Sequence, residues 1–127
     1  MAQFEKYYTV EEANAMLPEL RELVEQIQAA RDEILATYPA AVPVLKQVNL
    51  NSGGKEANPY TIAIWKLNAR VRRLISMGVQ LKDLDRGLVD FPAWREDQEV
   101  LLCWHLGEDE VTHWHDLESG FAGRQSL

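Results

Sequence analysis

The hydrophobic period of this chain changes once, at Gly78, and that change limits the folds open to it. Before Gly78, Leu17, Leu20, Val24, Ile27, Arg31, Ile34 and Tyr38 recur in steps of three and four, and Tyr60, Ile64, Leu67, Val71 and Leu74 repeat the pattern. Steps averaging about 3.5 residues keep one seam on a helix and favour coiled-coil-like packing. After Gly78 the period falls to two, over 79–83, 87–93, 99–106 and 111–115, with turn residues at 85–87, 95–98 and 107–110. Such runs read as short antiparallel strands. The expected fold is therefore α+β in a single domain, 1–127: a long helical hairpin (about 9–77) packed on a small antiparallel β-meander (about 79–116), with a C-terminal tail over 117–127.

Local signals agree with this division. Thr9 followed by Glu12 reads as a capping box, and Pro18 marks either a kink or the first turn of the main helix after a short leading one. Asn58-Pro59 suits the second helix start and Gly78 its end. Between them, 39–58 is a long connection that contains Asn51-Ser-Gly-Gly. Charge is divided too. Residues 10–38 hold seven acids and two bases, whereas 57–77 hold four bases (Lys66, Arg70, Arg72, Arg73) and no acid. Opposite charges along two helices attract at the edges of their seam.

Composition excludes several classes. A net charge of -7 argues against nucleic-acid binding, which depends on neutralising phosphates. The longest near-apolar run, 38–45, is well short of the roughly 20 residues that span a bilayer. The first residues lack a basic start followed by an apolar stretch, and the single cysteine cannot form an internal disulfide. Both point to a cytoplasmic protein. Two amphipathic helices, each about 30 Å long, offer more apolar seam than four strands can cover, so a homo-oligomer is expected.

Pairing register decides what the sheet presents. Setting Trp94 opposite Glu99 gathers Val89, Phe91 and Ala93 with Val100, Leu102 and Trp104 on a core face, and puts Asp90 opposite Cys103. An odd loop after the third strand keeps Trp104 and Trp114 together; Trp94, Trp104 and Trp114 are all expected in the core. Leu106 would then face Thr112, Cys103 would face His115, and His105 would face His113, on a polar face. Neighbouring strands lie about 4.8 Å apart, close enough for such a row to share a ligand or a proton.

The stretch from Gly78 to Ala93, with Leu102-Cys-Trp-His-Leu-Gly-Glu108, Trp114-His115 and Gly120-Phe-Ala-Gly-Arg124, resembles the signature of a bacterial domain of unknown function, number 2203. The opening Thr-Val-Glu-Glu-Ala-Asn and Leu-Pro-Glu-Leu are similar to that family's start. The resemblance spans nearly the whole chain except 39–58, and implies a small cytoplasmic protein with a helical part and no assigned activity. Asp90, Cys103, Glu108, His115 and Arg124 occupy matching motif positions; His105 and His113 do not.

Three readings of these residues stand side by side. Asp90, Cys103 and His115, completed by His105 or His113, would suit zinc, or iron where carboxylate dominates. Alternatively, Cys103 is a nucleophile with His115 as base and Asp90 orienting it. In the plainest reading Cys103 is a small core residue and His115 is satisfied by hydrogen bonds. Glu108 fits a solvated turn. Arg124 is expected to tie the tail down through Asp90 or Glu108, and Lys66, Arg70 and Arg73 to face the acidic first helix. The competing functional class is a non-enzymatic scaffold that self-associates through its helices.

Overall fold

The computed structural model describes residues 3–37 and 59–127. Two helices, α1 (Val10–Thr37) and α2 (Pro59–Ser76), pack together and are followed by five strands. These are β1 (Gln80–Asp83), β2 (Leu88–Arg95), β3 (Gln98–His105), β4 (His113–Asp116) and β5 (Gln125–Ser126), in the spatial order β1-β2-β3-β4-β5, all antiparallel. The architecture is α+β. The expected 39–58 connection, Tyr38 and the Tyr60 side chain lie outside the described residues.

The capping box closes as the sequence requires. Thr9 N–H donates to Glu12 Oε1 at 2.9 Å, and Glu12 N–H to Thr9 Oγ1 at 3.1 Å. These bonds hold the Glu12 carboxyl below its usual range. No separate leading helix precedes Pro18; α1 runs through it. The seam residues Leu17, Leu20, Val24, Ile27 and Ile34 of α1, and Ile64, Leu67 and Leu74 of α2, are buried against Val89, Phe91, Ala93, Val100, Leu102 and Trp104 of the sheet. Arg73 pairs with Glu19 across the helices. Arg31, in line with the seam, reaches out instead to Asp32 and Asp85.

Gly78 ends α2 at φ 82°, a left-handed conformation that glycine adopts at little cost. Gly87 (φ 63°) closes the β1–β2 turn, where a Cβ would come within 2.6 Å of Leu106 Cγ. The β2–β3 hairpin turns through Glu96 and Asp97, both at positive φ, the backbone twist of a two-residue turn. Its register sets Trp94 opposite Glu99 and Asp90 opposite Cys103, as core patterning demanded.

Pro92 sits inside β2 without breaking the ladder. Tyr8 N–H donates to the Pro92 carbonyl at 2.7 Å, so that carbonyl points away from β3, and the ring nitrogen on the same edge points away with it. The amide missing from Pro92 is therefore one that β3 never needed. The N-terminal arm covers this edge beyond β1, with Tyr8 in the core against Phe91 and Tyr7 stacked on Trp94.

Four expectations are corrected. The β3–β4 register is two residues from the one expected: Cys103 faces His113, and Leu101 faces His115. Cys103 is thus not opposite His115, nor His105 opposite His113. Parity survives the slip, so Trp104 and Trp114 still share a face. The cause is Glu108, whose carboxylate accepts the His105 N–H at 2.9 Å and ends the ladder at Cys103. Trp94 lies on the other face and is 48% exposed. The face expected to be polar is buried at its centre. The segment expected to be a tail forms a 3-10 turn (Phe121–Gly123) and then β5.

Phe91 has no exposed surface and packs against Tyr8. Phe91→Ala should cost about 3–5 kcal/mol in urea unfolding, from lost burial plus the cavity left behind. A loss below about 1 kcal/mol would show that the core packs elsewhere.

Candidate metal centre

The site follows from strand geometry. On β2, residues of Asp90's parity direct their backbone groups toward β1, so Asp90 and Cys103 form a non-hydrogen-bonded pair. Cα atoms of such pairs are about 4.5 Å apart, with side chains closer than in the alternating pairs. His115 lies on the diagonal from Cys103, since His113 takes the opposite position. A diagonal neighbour is still within reach of a long side chain. One donor atom each from Asp90, Cys103 and His115 fall within 4.8 Å of one another. None of the three residues is more than 2% exposed.

Protons can be placed from the contacts. His115 Nδ1 lies 2.6 Å from the Asp116 carbonyl, which can only accept, so Nδ1 carries a hydrogen. Nε2 is 3.1 Å from Asp90 Oδ2. A contact this short between imidazole nitrogen and carboxyl oxygen needs one proton between them. The pair is net neutral whichever atom holds it. Burial pushes the Asp90 carboxyl up, opposed by His115. Burial, with the neighbouring Asp90 charge, pushes the Cys103 thiol up to about 12. Asp90 Oδ1 is buried with no hydrogen-bond partner.

The structure does not place His105 and His113 in this group. They stand around Glu108 instead, at 3.6 Å and 3.9 Å. Of the two acids considered for Arg124, Glu108 is the one it meets, with Nη2 bridging both oxygens at 2.8 and 2.9 Å. Glu108 is no solvated turn residue: its backbone carbonyl also accepts from Trp104 Nε1 and from Arg21. That role escaped sequence reading because it depends on where Arg21 and Arg124, far away in the chain, fold back.

Chemically, the group offers a thiol, a carboxyl and an imidazole whose Nε2 would be the coordinating atom once the proton it shares with Asp90 leaves. A backbone carbonyl on the other ring nitrogen fixes the tautomer, as it commonly does at metal centres. The thiol is poorly set as a nucleophile, because attack requires thiolate. With one cysteine in the chain, the test is direct. A disulfide reagent at neutral pH should modify the folded protein on the order of a thousandfold more slowly than the unfolded chain. Comparable rates would revive the nucleophile reading.

No curated protein and no solved structure gives a match. Residues 6–127 match the family described as Uncharacterized conserved protein (DUF2203). No described helix is long and apolar enough to cross a membrane. The match covers the helical hairpin, every strand and the buried Asp–Cys–His group, and the chain belongs to the DUF2203 family.

Proposed function

We propose that this is a divalent-metal-binding protein that holds its ion through Asp90, Cys103 and His115. The observation that carries the reading is the convergence of three donors of different chemistry on one buried point, with Asp90 Oδ1 left unpartnered. A thiolate and a carboxylate would neutralise a divalent charge, and sulfur with imidazole favours zinc, iron being the next choice. The burial of all three favours a held ion over an open hydrolytic centre.

Loading would displace two protons: the Cys103 thiol proton and the one between Asp90 and His115. Zinc affinity should therefore weaken about a hundredfold for each unit that pH falls near neutrality. Metal content by mass spectrometry should give about one equivalent of zinc or iron for the unmodified protein, lost in Cys103→Ser and His115→Ala. Less than about a tenth of an equivalent after reconstitution, or full occupancy in both variants, overturns the reading.

Self-association through the helices is the second reading, favoured by Ile62 and Trp65 on α2, 41% and 55% exposed. The seam itself lies in the chain's own core, so Val24→Asp or Leu67→Asp should unfold the protein rather than dissociate it. A copy-to-copy contact would instead use Trp65. Light scattering should then show a dimer or larger species that Trp65→Asp converts to monomer; a monomeric unmodified protein at high concentration removes this reading.

A further inference from the structure

The sheet face that carries the Asp90 group is turned away from the helices, yet Asp90, Cys103 and His115 are buried on it. Residues 117–124 cross that face. They leave β4 through a turn in which Asp116 Oδ1 accepts the N–H groups of Glu118 and Ser119 at 3.0 and 2.7 Å. Phe121 then meets the His105 ring, centroids 6.2 Å apart, and the Arg86 guanidinium of the β1–β2 turn, 5.1 Å from its ring. His105 has the strand parity of Cys103, so the crossing runs over the side where the group lies. Arg124 returns to the sheet, its Nη2 3.4 Å from the Cys103 carbonyl and bridging both Glu108 oxygens. On the opposite side, Phe91 and Trp104 have no exposed surface and close the way through the core.

For a segment that covers a buried group, this one is weakly anchored. No residue of 117–127 belongs to the hydrophobic core cluster. The 3-10 turn has no buried residue, and β5 is two exposed residues long. The bonds from Gly123 N–H to the Gly120 carbonyl and from Arg124 N–H to the Phe121 carbonyl are internal, and survive if the segment moves as a body. Its ties to the sheet are the short β5 pairing, Leu127 N–H to the Thr112 carbonyl, the Phe121 ring and Arg124. Segments with so few buried apolar contacts open far more readily than core strands such as β2 and β3.

We propose that residues 117–124 are a gate over Asp90, Cys103 and His115, latched by Arg124 on Glu108 and by Phe121 on Arg86, and that an ion enters and leaves by local opening of this gate. A route for an ion rests on the metal site proposed above; a route to the Cys103 thiol does not. Loosening a latch speeds entry and exit together while the closed state stays dominant, so rates change and affinity barely does.

Methyl methanethiosulfonate on the metal-free protein reads the gate without any ion. Arg124→Met and Phe121→Ala should each raise the rate of Cys103 modification about tenfold or more. The Arg124 charge favours the Cys103 thiolate, so its loss alone would slow the reaction, and a faster one reports access. In the unmodified protein the rate should be flat in low urea, as for local opening, whereas access by global unfolding rises steeply with urea. With zinc loaded, release to EDTA should quicken about tenfold in both variants while the dissociation constant moves less than about threefold. Variants that keep the native near-ultraviolet circular dichroism and leave the thiol rate unchanged overturn the gate. Where both variants misfold, the unmodified protein decides: a flat urea dependence supports the gate and the slope of global unfolding overturns it. Protein that takes up no zinc but shows the faster thiol reaction keeps the gate and loses the metal site.

Discussion

Glu108 is the residue on which the two faces of the sheet depend. Its carboxylate stops the β3–β4 ladder by accepting the His105 N–H, and anchors Arg124. Its backbone carbonyl takes the Trp104 indole N–H from inside the core and Arg21 from α1. One short loop thus ties helix, sheet and C-terminal segment together. Charge-assisted bonds in partly buried surroundings are stronger than neutral ones and demand tighter geometry. The register of β4, and with it the position of His115, follows from where this side chain points.

That register turns three ordinary side chains into a chemical group. Direct pairing across a non-hydrogen-bonded position brings Asp90 against Cys103, and a diagonal brings His115 to both. Burying ionisable groups is costly unless charge is cancelled. Here the cancellation is internal: a thiol held protonated and an imidazole–carboxyl pair that shares one proton. The thiol proton and the shared proton are the charges that a bound cation would have to displace.

Much of this was legible in the sequence, and what was not has a physical reason. The helices, β1 to β4 and the β2–β3 register follow from short-range patterning and from a turn of two residues, where local rules are strong. The meeting of Asp90, Cys103 and His115 on one face was also readable, because parity alone decides it. The slip of β4 by two residues was not: patterning fixes parity, and only a side chain bonding back to the strand end decides how long the loop is. Burial of that face was missed because 117–127 carries weak periodicity, its two-residue strand being held by Arg124 and by Trp114 rather than by its own pattern.

The edges of the sheet carry a consequence of their own. β1 has four residues and β5 two, and the stretch of β2 left bare by β1 is met by the N-terminal arm at Pro92, a residue with no amide to offer. Unpaired strand edges are where sheets of separate molecules join and where fibrils begin. This sheet offers a newcomer no edge longer than a few residues, and one flank is already blocked. Among the described residues, the surface open to a second molecule is therefore one of side chains, on the helices and at the exposed Trp94 beside half-buried Tyr7, more than of unpaired backbone.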